Sequence, residues 1–223
     1  THSLEVASVG RSMGEMVRDR LMKSGFNHLL VTEIGAVVAA ACLAHDMGNP
    51  PFGHSGEDAI KAFFTRGPGS KLKESMSPEQ WSDFTFFDGN ANAFRILSHQ
   101  FKGRRPGGFA LTYTMMASIV KYPYESVLAQ KPKFGFFQSE KEIYPEIATR
   151  LGLVCQSENP LRFVRHPLVY LVEAADDICY QIMDIEDAHK LRILSYDETR
   201  NLYMRFFSLP TDKQRVQKIE DTF

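Results

Sequence analysis

From Leu4 the apolar residues Val6, Val9, Met13, Met16, Val17 and Leu21 recur at intervals of three and four. That spacing predicts an amphipathic helix, and Gly25 is set to close it. A second helix is predicted from Thr32, a good N-cap, through Val37, Val38, Ala41 and Leu43. It is nearly uncharged after Glu33, so it should be buried on most sides. Gly48-Asn49-Pro50-Pro51 stops it abruptly. Ser55 with Asp58 reads as an N-terminal box for a short helix over Ala59 to Phe64. Gly67 to Gly89 is polar and rich in Gly, Pro and Ser, which predicts a long irregular connection around Trp81. Helical spacing returns through Phe94, Ile96 and Leu97, breaks at Arg104-Arg105-Pro106-Gly107-Gly108, and resumes from Leu111 to Val120. Lys121 to Ser139 is a second long loop, rich in Pro, Lys and aromatics, after which Ser139 can cap a helix to Leu151. The longest clean pattern runs from Pro167, a favoured first-turn residue, to about Leu191. Ser195 with Glu198 opens another helix to Phe207, and a last one starts near Thr211. No segment alternates convincingly with period two and no repeat is visible. The expected fold is all-α, a helical bundle with two long irregular loops whose length marks them as functional or mobile.

Composition narrows the classes. The chain has 223 residues, 43% of them hydrophobic, with 26 basic and 27 acidic side chains. A disordered chain is excluded by the apolar content. A polybasic coat for nucleic acid is excluded by the formal charge of −1. The longest apolar stretch, Ile34 to Ala44, is about half the roughly 20 residues that a membrane-spanning helix needs. Cys42, Cys155 and Cys179 are widely spaced and odd in number, so neither a metal knuckle nor a disulfide framework is expected. A reducing cytoplasm fits, with Cys42 and Cys179 as small core residues. No secretory signal opens the chain. It begins at Thr1 without Met and stops at Phe223 inside a helical pattern, and it reads as an excerpt of a longer protein comprising a single domain over residues 1–223.

The densest chemistry lies in Ala44-His45-Asp46-Met47-Gly48-Asn49-Pro50-Pro51-Phe52-Gly53-His54-Ser55-Gly56-Glu57. Neighbours on a helix point about 100° apart, so His45 and Asp46 reach one ion only if it lies off the helix end. Imidazole nitrogen with carboxylate oxygen suits Mn, Fe, Co or Ni and tolerates Mg or Zn. The same pair also fits a helix-end His that compensates the dipole beside a solvated Asp. Asp176, Tyr180 and Asp184 stand at i, i+4 and i+8 on one face of the long helix. Among Leu168, Val169, Leu171, Val172, Ile178 and Ile182, a carboxylate pointing inward costs several kcal/mol unless paired or bound to a cation. Asp177, Glu186 and Asp187 supply a wet face, so a solvated stripe fits equally. His2 opens the first helix. His28, His99, His166 and His189 read as surface or packing residues, His166 as a cap for the long helix.

These segments resemble a known pattern. His early on one helix, His-Asp at the end of the next and a distant Asp on a later helix characterise the HD-domain metal phosphohydrolases. Within them, Thr1-His2-Ser3-Leu4-Glu5-Val6-Ala7, the segment His45 to Glu57, and Glu173-Ala174-Ala175-Asp176-Asp177-Ile178-Cys179-Tyr180 look like the bacterial dGTP triphosphohydrolase family. Phe87-Asp88-Gly89-Asn90-Ala91-Asn92-Ala93-Phe94-Arg95 and Lys133-Phe134-Gly135-Phe136-Phe137-Gln138-Ser139-Glu140 fit it too. The resemblance spans about residues 1–190. It implies an HD-domain bundle in which His2, His45, Asp46 and Asp176 hold a divalent metal ion, Mg or Mn first, with Fe, Co or Ni as alternatives. Asp177 competes for the last place. Asp176 is preferred because Tyr180 then falls at the family's spacing of four. The resemblance makes His54 and Glu57 catalytic, and gives Tyr180, Asp184 and Asn49 to the substrate; Lys121 joins them as a candidate cation for its phosphates.

The implied reaction is attack of water on the α-phosphorus of a deoxynucleoside triphosphate, dGTP foremost, with inorganic triphosphate leaving as one unit. The 5′ oxygen is a poor leaving group that wants a proton, which a histidine delivers near neutral pH. Lys121, Arg95, Arg11, Lys131 and Lys133 are candidate cations for the triphosphate, none of them fixed by spacing. Members of the family assemble into homo-oligomers, often hexamers, and bind single-stranded DNA; basic clusters occur here at Arg104-Arg105 and Lys131-Lys133. Two further readings stand beside this one: another HD-type nucleotide phosphohydrolase, and a nucleotide-binding regulator on an HD scaffold.

Overall fold

The computed structural model describes residues 1–26, 28–103, 106, 108–207 and 210–220. Among these, helix dominates: α1 (His2–Lys23), α2 (Leu29–Thr32), α3 (Ile34–Ala44), α4 (His54–Thr65), α5 (Pro78–Thr85), α6 (Gly89–Ser98), α7 (Tyr113–Ser118), α8 (Ile143–Arg150), α9 (Val169–Lys190), α10 (Tyr196–Met204) and α11 (Lys213–Glu220). One antiparallel hairpin, β1 (Cys155–Glu158) with β2 (Leu161–Phe163), interrupts them. The all-α expectation holds apart from this hairpin, whose strands are too short for alternation to register. The chain divides into two compact units, Thr1–Asp176 and Asp177–Phe223. No described helix is long and apolar enough to cross a membrane.

In the first unit, α1 and α3 form an antiparallel pair held at backbone distance by glycine. A Cβ on Gly14 would lie 2.8 Å from the Cα of Gly35. One on Gly10 would lie 2.5 Å from Cys42 Sγ, 3.1 Å from Val38 and 3.6 Å from the Cβ of Ala175 on α9. Three helices therefore meet at Gly10. Val6, Val38, Ala41, Cys42 and Ala175 are fully excluded from solvent around that point. Helix α1 ends as expected: Gly25, at φ +90°, donates to Met22 O while Phe26 N–H reaches Leu21 O.

Local chemistry explains four departures from the sequence reading. Thr32 does not cap the second helix; its hydroxyl donates to Leu29 O and closes the short α2, and α3 starts after Glu33. Helix α4 begins at His54, five residues earlier than the Ser55/Asp58 box implied. Its N-cap is Gly53, and Asp58 pairs with Lys61 instead. The connection from Gly67 to Gly89 is ordered as a 3-10 turn (Pro68–Ser75) and α5, which Ser77 and Gln80 open with a reciprocal capping box. Ser139 lies in a 3-10 turn and donates to Glu140, so α8 starts later, at Ile143. The stretch from Lys121 to Ser139 is irregular, as expected, yet much of it is core. Phe134 and Phe136 are fully buried; Phe136 stacks on Tyr144, with ring centres 4.9 Å apart.

In the second unit, Ser195 and Glu198 form the expected capping box of α10. Arg200 pairs with Glu220, and the Thr199 hydroxyl lies 3.1 Å from His189 Nδ1. Cys42 and Cys179 are buried and Cys155 is exposed. Arg104 and Arg105, read as a chain break and part of a basic cluster, lie outside the described residues.

Candidate metal centre

The meeting of three helices at Gly10 brings polar residues of each to one place. His2 opens α1, His45 and Asp46 follow the last residue of α3, and Asp176 follows Ala175 on α9. Asp176 Oδ1 lies 3.1 Å from His2 Nε2 and 3.3 Å from His45 Nε2. Asp46 Oδ1 is 3.2 Å from His45 Nε2, and its Oδ2 is 3.8 Å from His2 Nε2. Neighbouring ligands of an octahedral ion with bonds of about 2.1 Å stand about 3.0 Å apart, and tetrahedral ones about 3.4 Å. Three of the four observed spacings fall in that range, and the fourth, 3.8 Å from Asp46 to His2, exceeds it.

The state of His45 supports the same fit. Its Nδ1 lies 2.6 Å from the Cys42 carbonyl, which only accepts, so Nδ1 carries the proton and donates. Nε2 is left with its lone pair turned toward two carboxylates. It is buried and makes no directed hydrogen bond with either of them, despite the short distances. A cation placed between these atoms would satisfy the His45 lone pair and the carboxylates together. Burial lowers the proton affinity of His45, but Asp176, the Cys42 carbonyl and Asp46 together outweigh it and raise the pKa above the ordinary value. Burial likewise pushes Asp176 up, and the facing His45, Lys121 and His2 hold it below the usual carboxylate range. Two nitrogens and two oxygens form a borderline donor set open to Mn, Fe, Co or Ni, and to Mg.

The remaining candidates sort clearly. Asn49 donates its amide to Asp46 Oδ1 at 2.9 Å and so orients that carboxylate. Lys121 places its ammonium 3.8 Å from Asp176 Oδ2. His54 is mostly exposed; its Nδ1 donates to Glu57 Oε2 at 3.0 Å, which leaves Nε2 as the ring nitrogen that Glu57 does not engage. Glu57 is 5% exposed and accepts the Gly89 N–H on its other oxygen at 2.8 Å. Burial raises its pKa, but His54, that amide and Lys133 overcome the effect, and it titrates below the ordinary range. The turn that aims His54 holds two successive residues in the left-handed region, Phe52 at φ +67° and Gly53 at φ +54°. A bulky residue there is strained, a feature that concentrates at functional sites. Tyr180 and Asp184 belong to the second unit and are exposed. Asp177 is exposed, whereas Asp176 reaches the cluster. Arg95 is spent on Glu140 and Ser139 inside the fold. Asp88 was missed; Asp-Gly-Asn at a helix start is an N-cap signature that could have found it.

Residues 1–115 match the HD domain. The chain belongs to the HD-domain family. Relatives of this HD protein include a deoxyguanosinetriphosphate triphosphohydrolase-like protein of Pseudomonas aeruginosa, strain LESB58, 45% identical over 92% of this chain and 47% of the relative. Another so named, from Synechocystis, is 43% identical over 87% of this chain and 47% of the relative. A deoxyguanosinetriphosphate triphosphohydrolase of Yersinia enterocolitica is 33% identical over 89% of this chain and 44% of the relative. The HD chain thus spans about half the length of the relatives it matches.

Proposed function

We propose that the chain hydrolyses deoxynucleoside triphosphates, dGTP foremost, to a deoxynucleoside and inorganic triphosphate. The observation that carries this reading is the cluster of His2, His45 and Asp46, with Asp176 3.1 and 3.3 Å from the two imidazoles. These residues would hold a divalent cation, which when bound would acidify water and offset charge building on the phosphoryl oxygens. His45 and Asp46 present their donor atoms off the end of α3, and Asn49 fixes the Asp46 carboxylate. Water attacks the α-phosphorus, a new P–O bond forms, and the bond to the 5′ oxygen breaks. His54, held through Nδ1 by Glu57, delivers the Nε2 proton to the departing 5′ oxygen.

Cations line the approach. A cavity of about 330 Å³ is bordered by Lys121, Tyr122, Tyr124, Arg162 and Arg165. A second, of about 440 Å³, shares Tyr122, Tyr124 and Arg162 and adds Lys131 and Lys133. Such a surface favours a polyanion such as triphosphate. The family resemblance assigns Tyr180 and Asp184 to the deoxyribose, where they crowd out a 2′-hydroxyl. It also supports action as a homo-oligomer, with single-stranded DNA as a second ligand. Three widely spaced cysteines, odd in number, fit a cytoplasmic setting.

Product analysis tests the reading. With dGTP and Mn²⁺ or Mg²⁺, full-length protein should release deoxyguanosine and triphosphate in equal amounts. Orthophosphate or pyrophosphate as the released group would move the protein to a different class of HD phosphohydrolase.

A further inference from the structure

The Glu57 carboxylate that holds His54 shares the Lys133 ammonium with a residue outside the proposed mechanism. Asp88 is fully buried at the N-cap of α6. Its Oδ1 accepts the Asn90 N–H at 3.1 Å and the Asn90 amide at 2.8 Å; its Oδ2 accepts the Phe134 N–H at 3.3 Å. Lys133 donates to Oδ1 at 3.4 Å, and the same ammonium stands 3.9 Å from Glu57 Oε2. That Glu57 oxygen is the one that accepts from His54. The first amide of the helix Asp88 caps, Gly89 N–H, donates to the other Glu57 oxygen.

We propose that Asp88 is a positioning residue for His54: it shares Lys133 with Glu57 and aims the Gly89 amide, and so sets how strongly Glu57 holds the imidazolium. This rests on reading His54 as the proton donor. One ammonium between two carboxylates compensates each in part. Without the Asp88 charge, Lys133 serves Glu57 alone and competes with His54 for Oε2, so the imidazolium is less favoured. The other charged groups facing this set are Asp58 on α4, which is paired with Lys61, and the Tyr124 phenol, which faces Asp88.

A purely structural role, capping α6 and tying down Phe134, makes a different prediction. Asp88→Asn keeps an oxygen for the Asn90 amide but loses the charge. With histidine-labelled protein and no substrate, the His54 ring resonance in Asp88→Asn should titrate about half a pH unit below the parent. Lys133→Met should shift it upward, and the double variant should return near the parent. The basic limb of the pH–rate profile should move with the resonance. A folded Asp88→Asn whose His54 midpoint matches the parent overturns the proposal. Should Asp88→Asn not fold, an unchanged midpoint in Lys133→Met overturns it equally. If His54→Ala hydrolyses dGTP at the parent rate, the reading of His54 as acid fails, while the titration still reports on Asp88.

Discussion

His45 and His54 are nine positions apart, and the roles proposed for them differ because their surroundings differ. His45 is 6% exposed, and its Nδ1 proton is committed to the Cys42 carbonyl, which leaves a lone pair suited to a cation. His54 has a side chain 86% exposed and an Nε2 that Glu57 does not engage, suited to a proton that must come and go. His45→Ala should therefore lose both bound metal and turnover. His54→Ala should keep its metal and lose about 10²–10⁴-fold in turnover. Metal analysis beside kcat separates the two, and loss of metal from His54→Ala would show the roles misassigned. The four candidate ligands stood out in the sequence through the resemblance to the HD family; read by themselves, His45-Asp46 fitted a capped helix end and Asp176 a solvated stripe equally well. Asp88 did not stand out, because its burial depends on Lys133 and Phe134 folding over it from 45 and 46 residues away.

At the scale of elements, the site depends on how closely α1, α3 and α9 approach. Gly10 is the contact point, and a methyl group there meets Cys42 Sγ. Gly10→Ala should lower the unfolding free energy by about 1–3 kcal/mol, as overpacking does, and weaken metal binding by spreading the ligands. Cys42→Ala in the same chain should restore part of both, measured by denaturant midpoint and metal titration. A Gly10→Ala chain with parent stability and parent metal affinity would show that the helices are not held at this point. Elements announced by long apolar periodicity, α1, α3 and α9, were legible to within a few residues. The capping box at Ser195 and Glu198 was recognised, while the equivalent box at Ser77 and Gln80 was hidden among Gly, Pro and Ser. In both places the chemistry is the same; what differs is how much apolar pattern follows it.

At the scale of the molecule, the first unit buries a set of carboxylates away from the metal centre. Asp83, Glu125 and Glu140 are each at most 2% exposed, with Lys141 and Arg95 as their cations. Asp83 accepts from the Ser126 hydroxyl at 2.6 Å and the Gln138 N–H at 2.7 Å and pairs with neither cation. Burial, with Glu125 and Glu140 nearby, raises its pKa from 3.8 to about 6 in spite of those two hydrogen bonds. Between these values the folded chain holds a proton that the unfolded chain has lost, so this contribution to stability is full below 3.8 and lost as pH rises through 6. The loss is about 3 kcal/mol. Asp83→Asn should flatten that part of the stability curve between pH 4 and pH 7 in urea titrations. A parent curve no steeper than the variant's would contradict the burial of this charge.

The convergence of donors from three helices is tested most directly by spectroscopy on bound Mn²⁺. The parent should bind one ion per chain whose spin-echo envelope shows coupling to two inequivalent imidazole nitrogens. His2→Ala should leave one of them, and Asp176→Ala should abolish tight binding. Manganese bound with no nitrogen coupling, or with affinity unchanged in Asp176→Ala, would contradict the site on which the proposed hydrolysis depends.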